Sequence, residues 1–250
     1  MNLFNLFSDI EKVDGDVAER VAYYTRRNLF KLGRKATTAM AAPTVLAASL
    51  NDAYAQSATV AEVLNFALTL EYLEDEFYRT GLATAGLIAA GDQAVIAQIS
   101  KHEAAHVALL KGALGTAAMA KPTFKFGNAF STYPVFLATA QAFEDIGVRA
   151  YKGQAGNLLG QAVLTTALQI HSVEARHAAI VRRIRGLKGW ISDPAETPAA
   201  AYAGEDNVTQ ATVNVTTLPN VTGIDAARSR EAFDEILTRQ AVLAIAGAYL

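Results

Sequence analysis

The sequence predicts an all-α fold: a four-helix bundle with a long crossover between helices 2 and 3, then an irregular segment and a C-terminal helix. Three observations carry that prediction. Ala is heavily used, 52% of the residues are apolar and only 8% are aromatic, a composition that favours helix. Apolar residues recur at helical spacing through four long stretches, as amphipathic helices require. Gly and Pro fall mostly between those stretches, where helices end.

The first element, residues 1–55, reads as an export signal. Arg26 and Arg27, followed by Leu29, Phe30 and Lys31, precede an uncharged small-residue stretch at 36–51 that ends in Ala53-Tyr54-Ala55. A basic segment, an apolar run and an A-x-A site are the parts of a secretory signal, and the paired arginines resemble the twin-arginine type. The competing reading is a cytoplasmic amphipathic helix, because residues 9–24 are charged and long for such a signal. Export places the protein in the periplasm or another extracytoplasmic space of a bacterium. The apolar run is shorter than the roughly 20 residues that span a bilayer and Pro43 interrupts it, so no stable membrane span is expected after processing.

The bundle is expected over residues 58–190. Val63, Leu64, Ala67, Leu68, Leu70, Leu73 and Phe77 mark the first helix, from 60 to about 90. Asp92 is the expected N-cap of the second, which runs to about Ala118. A loop with Phe124, Phe126 and Phe130 follows, the phenylalanines reading as anchors for the crossover. Pro134 suits the first turn of the third helix, which reaches about Gln154. The fourth runs to about Leu187, with Arg182, Arg183 and Arg185 as a charge cluster that favours its C-terminus. Residues 191–225 read as an irregular extension and 226–250 as one helix packing on the bundle. Three N-x-T triplets, at Asn207, Asn214 and Asn220, read as chance in a Thr-rich segment.

Composition also excludes. With 22 basic and 24 acidic residues there is no basic surface to draw nucleic acid. With no cysteine, disulfides, thiolate catalysis and cysteine-held metals are ruled out, and any metal must sit on His and carboxylates.

The four histidines, His102, His106, His171 and His177, all fall in two short helical segments. Within each, a glutamate precedes a histidine by three: Glu103 with His106, Glu174 with His177. That spacing puts both side chains on one helix face. Glu71 precedes Glu103 by 32 residues and Glu144 precedes Glu174 by 30, separations that suit hairpins bringing each glutamate level with an E-x-x-H pair. Tyr78 and Tyr151 follow Glu71 and Glu144 by seven, so the two halves repeat one plan. Two E-x-x-H pairs and a glutamate from each other helix make the ligand set of dinuclear carboxylate bundles. Two divalent ions would also balance four buried carboxylates, which are otherwise costly. Glu74 competes with Glu71, but its counterpart in the second half is Gly147, which favours Glu71. His102 and His171 fall outside the repeat and are either outer partners of the metal ligands or simply exposed, with exposure the favoured reading. Tyr78 and Tyr151 are either core tyrosines or phenols bonded to the ligand carboxylates.

The stretch Leu64-Asn65-Phe66-Ala67-Leu68-Thr69-Leu70-Glu71-Tyr72-Leu73-Glu74, the segment Phe143-Glu144-Asp145-Ile146-Gly147-Val148 through Tyr151, and the two E-x-x-H stretches resemble the ferritin-like domain family that includes desiccation-related proteins. The resemblance covers about 58–190 and implies metal ligands at Glu71, Glu103, His106, Glu144, Glu174 and His177. Two divalent metal ions are expected, iron first and manganese second, although carboxylate and imidazole also suit zinc and ligand type does not settle the metal. The function expected is oxidative protection in the exported compartment, by Fe(II) oxidation or peroxide removal, with O2 or peroxide as the small-molecule partner. The alternative is a non-catalytic stress or desiccation-related protein with a structural metal. A homo-oligomer is left open, and storage of iron in a closed cage is the third reading.

Overall fold

Helix α1, Val60–Ala83, starts at a capping box. The Thr59 side chain accepts the Glu62 N–H at 3.3 Å, and the Glu62 carboxylate accepts the Thr59 N–H at 2.7 Å. Two amides that the first turn leaves without carbonyl partners are thereby satisfied. The computed structural model describes residues 59–219 and 222–250; the export signal at 1–55 and the triplet at Asn220 lie outside the described residues.

Three further long helices follow: α2, Gln93–Leu114, α3, Tyr133–Gln154, and α4, Val163–Ile184. With 22 to 24 residues each they are about 33–36 Å long, so they can align along their whole length. Helix α1 packs chiefly on α2, and α3 on α4. Both pairs are antiparallel hairpins: Asn65, near the start of α1, donates to the Ala117 carbonyl just beyond α2 at 2.9 Å. The first, second and fourth helices stop before the expected ends, α1 at Ala83 rather than near 90; Gly115, at φ 55° and ψ −125°, turns α2 into a short 3-10 turn, and Gly186 at φ 78° closes α4. Asp92 stands at the N-cap of α2 but makes no capping bond; its carboxylate accepts the Tyr133 hydroxyl at 2.9 Å and ties the α2 start to α3.

The crossover, residues 115–132, is anchored as its phenylalanines suggested. Phe124 is buried, and Phe126 and Phe130 pack around Phe77, whose ring stacks on Phe136 with centroids 4.8 Å apart. Phe77 is fully buried; truncating such a side chain to Ala costs about 3–5 kcal/mol.

Beyond α4 the chain wraps the bundle without regular period. It forms short 3-10 turns and one antiparallel pair, β1, Thr209–Gln210, with β2, Val213–Asn214. Ala211 and Thr212 join the two strands at positive φ, as a tight two-residue hairpin demands. The single helix expected over 226–250 is instead two short ones, α5, Ala226–Ala232, and α6, Arg239–Ala246. Residues 233–238 between them carry no regular structure because their backbone is recruited elsewhere. Leu237 donates its N–H to the Arg149 carbonyl, and the Arg149 guanidinium takes the carbonyls of Glu235 and Ile236. Gly153 permits this approach: a Cβ there would lie 2.3 Å from the Leu237 oxygen.

The arginines stand at the end of α4 as expected, Arg183 exposed and donating to the Leu187 carbonyl, but the other two turn inward. Arg182 is buried against Asp145 and the Tyr202 hydroxyl, each 2.6 Å away, and Arg185 donates to Gln141 and to the Glu196 carbonyl. These residues fasten the extension to the bundle. Among the described residues no helix is long and apolar enough to cross a membrane.

Candidate metal centre

Each helix of the bundle delivers part of one cluster. Glu71 comes from α1, Glu103 and His106 from α2, Glu144 from α3, and Glu174 and His177 from α4. The four glutamates have no solvent exposure, and both histidines are buried. All six residues named from the sequence are brought together.

Two overlapping sets result, Glu71, Glu103, His106 and Glu174, and Glu103, Glu144, Glu174 and His177. Within each set one ligand atom from every residue lies within 4.8 Å of the others. His106 Nδ1 stands 3.1 Å from both Glu71 Oε2 and Glu103 Oε2, and 3.3 Å from Glu174 Oε1. His177 Nδ1 stands 2.8 Å from Glu103 Oε1 and 3.2 Å from Glu144 Oε2. Glu103 thus turns one oxygen to each histidine.

The outer oxygens are held by phenols. Tyr78 donates to Glu144 Oε1 and Tyr151 to Glu71 Oε1, both at 2.5 Å. The exchange is reciprocal between halves: the tyrosine on α1 holds the glutamate on α3, and the tyrosine on α3 holds that on α1. Of the two readings for these tyrosines, the structure shows the carboxylate-bonded one.

Several inward atoms remain without a hydrogen bond: Glu103 Oε1, Glu144 Oε2, both oxygens of Glu174, and His177 Nδ1. His177 Nδ1 is close to Glu103 but not aligned with it, so the short distance is not a hydrogen bond. Unpaired carboxylate oxygens in such a place are expensive, and the proton balance responds. Burial pushes Glu71 up to about 7 against the pull of His106. Burial, then repulsion from Glu103 and Glu71, holds Glu174 well above the usual carboxylate range. Glu103 is the exception: burial raises it, but His106 and His177 on either side bring it to about 2. Burial lowers the two histidines, yet the carboxylates around them lift His106 to about 12 and His177 to about 11. Protons therefore stand in for positive charge at this centre.

Glu74 is buried as well and belongs to neither set. Gly147 leaves room for it: a Cβ at 147 would lie 2.8 Å from Glu174 Oε2 and 3.3 Å from Glu74 Oε1.

Neither histidine outside the repeat is simply exposed. His102 Nδ1 lies 2.9 Å from His177 Nε2, and His171 Nδ1 donates to the Val148 carbonyl at 3.0 Å. The sequence reading also missed a second buried cluster, built on Asp145, Arg149, Arg182, Tyr202 and Glu205. The sequence signal was weak: Asp145 and Arg149 stand four apart on α3, a spacing that reads first as an ion pair on a solvated helix face.

A family model described as the ferritin-like domain matches residues 59–187. No curated protein matches the chain closely enough to lend it a named activity.

Proposed function

We propose, from the premise that this chain belongs to the ferritin-like domain family, that the bundle centre binds two divalent metal ions and serves redox protection. Glu71 and His106 would hold one ion, Glu144 and His177 the other, with Glu103 and Glu174 shared. The observation that carries this reading is the pair of overlapping ligand sets with shared glutamates and unpartnered inward oxygens. Such atoms fit a cation: two divalent ions balance four carboxylates and take up the free lone pairs, leaving the imidazoles neutral. Carboxylate and imidazole suit iron and manganese. When bound, two such ions would supply two-electron chemistry toward O2 or peroxide, in Fe(II) oxidation or peroxide removal.

The chain's own residues do the rest. Tyr78 and Tyr151 fix the terminal carboxylates and leave one oxygen of each facing inward, as outer partners of metal ligands do. Burial keeps competing water away. Site formation must displace the protons that Glu71, Glu174 and the histidines hold. The Arg26-Arg27 segment and the Ala53-Tyr54-Ala55 site support export through a twin-arginine route into an extracytoplasmic space. The complete burial of the four glutamates favours a second reading, in which the ions only hold the bundle together, as in a non-catalytic stress or desiccation-related protein.

Anaerobic Fe(II) loading followed by metal analysis tests the centre. About two ions per chain are expected in the wild type and a clear loss in Glu103→Ala/His177→Ala; no difference between them would sink the site. Rates of O2-coupled Fe(II) oxidation and of peroxide consumption then separate turnover from a structural role.

A further inference from the structure

The two halves of the centre match in their inner contacts and differ one residue further out. Before Glu103 stands His102; before Glu174, at the equivalent place, stands Val173, which cannot hydrogen-bond through its side chain. His102 Nδ1 lies 2.9 Å from His177 Nε2, with the two ring planes 6° apart. On its far side, His102 Nε2 lies 2.8 Å from the Gln98 amide. His106 turns its Nδ1 inward as His177 does, but among the described residues its Nε2 has no hydrogen-bond partner.

Proton placement along this chain is constrained. His177 Nδ1 faces Glu103 and Glu144, so an ion held there leaves Nε2 to carry the proton. Two N–H groups cannot face each other at 2.9 Å, so His102 Nδ1 must accept. His102 then carries its own proton on Nε2, and the Gln98 amide satisfies it when its oxygen is turned that way, an orientation set by the network. The result is one directional chain from His177 through His102 to Gln98.

We propose that His102 is a positioning residue that locks His177 in its Nε2–H form, and that it makes the ion position beside His177 and Glu144 the tighter of the two. The proposal rests on the dinuclear reading above. It also breaks the equivalence that the repeated sequence plan suggests: His106 has no such partner, and its ion position fills second. An imidazole held in one tautomer and one plane loses less freedom on binding and is a stronger base at Nδ1.

The test uses the full chain and Zn(II), which has no redox chemistry, in calorimetric titrations of wild type, His102→Leu and His102→Asn. Leu keeps bulk without an acceptor; the Asn oxygen replaces Nδ1 as acceptor. Wild type is expected to bind in two steps. His102→Leu should weaken the tighter step by about tenfold or more and leave the weaker one unchanged, and His102→Asn should recover most of the loss. Two equal steps in wild type, or a His102→Leu titration superimposable on wild type, would overturn the proposal. Histidine 15N spectra provide a readout that does not depend on the variants folding: His102 Nδ1 should be an unprotonated acceptor. Absence of Zn(II) uptake by wild type would overturn the dinuclear reading itself. The metal-free spectra still judge the coupling in that case, since a protonated His102 Nδ1 refutes it and an unprotonated one sustains it.

Discussion

Glu144 and Asp145 are neighbours on α3, turned about 100° apart round the helix, and they enter two buried clusters of opposite character. Asp145 faces a cation: Arg182 is 2.6 Å away, and in the same region Arg149 lies 2.9 Å from Glu205 and Arg182 3.6 Å from Glu196. Glu144 faces Glu103 and His177 in a cluster that, among the described residues, has no arginine or lysine in contact with it. The first cluster is closed by the protein's own charges and by backbone carbonyls. The second holds four carboxylates against two imidazoles and retains protons to survive. A buried acid matched by a guanidinium is a fastening; a buried acid matched only by other acids is a place for an ion.

Removing the cation from the closed cluster should have the largest effect. Arg149→Met keeps the aliphatic stem and leaves Glu205 buried without its partner. It is expected to cost about 3–5 kcal/mol of stability in urea denaturation, and a loss below about 1 kcal/mol would mean that the cluster fastens nothing.

Neutralising one acid in each cluster should then separate them. Asp145→Asn takes from Arg182 its nearer carboxylate, leaving the Tyr202 hydroxyl and Glu196 at 3.6 Å, and is expected to cost about 3 kcal/mol. Glu174→Gln should change the metal-free stability at pH 7 by less than about 1 kcal/mol, because burial and repulsion from Glu103 hold that carboxyl well above the usual carboxylate range and so favour its neutral form. Metal binding should fall sharply in the same variant. Equal losses of stability in the two variants would erase the distinction.

The pH dependence sharpens it further. Glu71, raised to about 7, and the histidines, raised to about 12 and 11, hold more protons folded than unfolded. Stability from such groups is full below their unfolded values, near pH 4.3 and 6.5, and is lost as pH rises through the folded ones. Glu103, lowered to about 2, has the opposite sign, but its contribution is lost only as pH falls below the usual carboxylate range. Between pH 5 and 8 the metal-free protein should therefore lose stability while Mn(II) replaces the protons. The Mn(II)-induced rise in Tm is expected to widen steadily over that range; a constant difference would contradict the proton balance.

The smallest effect concerns the phenols. Tyr78→Phe and Tyr151→Phe free the terminal carboxylates without moving the helices. Each should weaken Mn(II) binding about tenfold in chelator competition, with unchanged helical circular dichroism.

What the sequence disclosed follows from how local each signal is. The four helices were legible because apolar spacing, Pro134 and the intervening glycines act within a few residues. The meeting of Glu71, Glu103, His106, Glu144, Glu174 and His177 was legible because the plan is repeated, so each half supports the other. For His102 the less favoured of two readings is the one the structure shows, because its partner, His177, lies 75 residues away and the repeat contains no counterpart. The cluster at Asp145 and Arg149 was missed because Arg182 reaches Asp145 from α4, 37 residues on, and Tyr202 and Glu205 come from a tail with no periodicity. The break at 233–238 cannot be read from the tail's own helical spacing, since it depends on carbonyls drawn to Arg149 from another element.

That guanidinium also bears on where the chain can be cut. Ending a clone just after α4 would keep every residue of the metal cluster and discard the Ala201, Ala203, Glu235 and Ile236 carbonyls together with Glu205. Arg149 would remain on α3 as a permanent positive charge in a slot lined for an absent strap. The smallest autonomous folding unit is consequently larger than the four helices. A protease that nicks residues 233–238 should loosen the bundle from a point remote from its metal ligands.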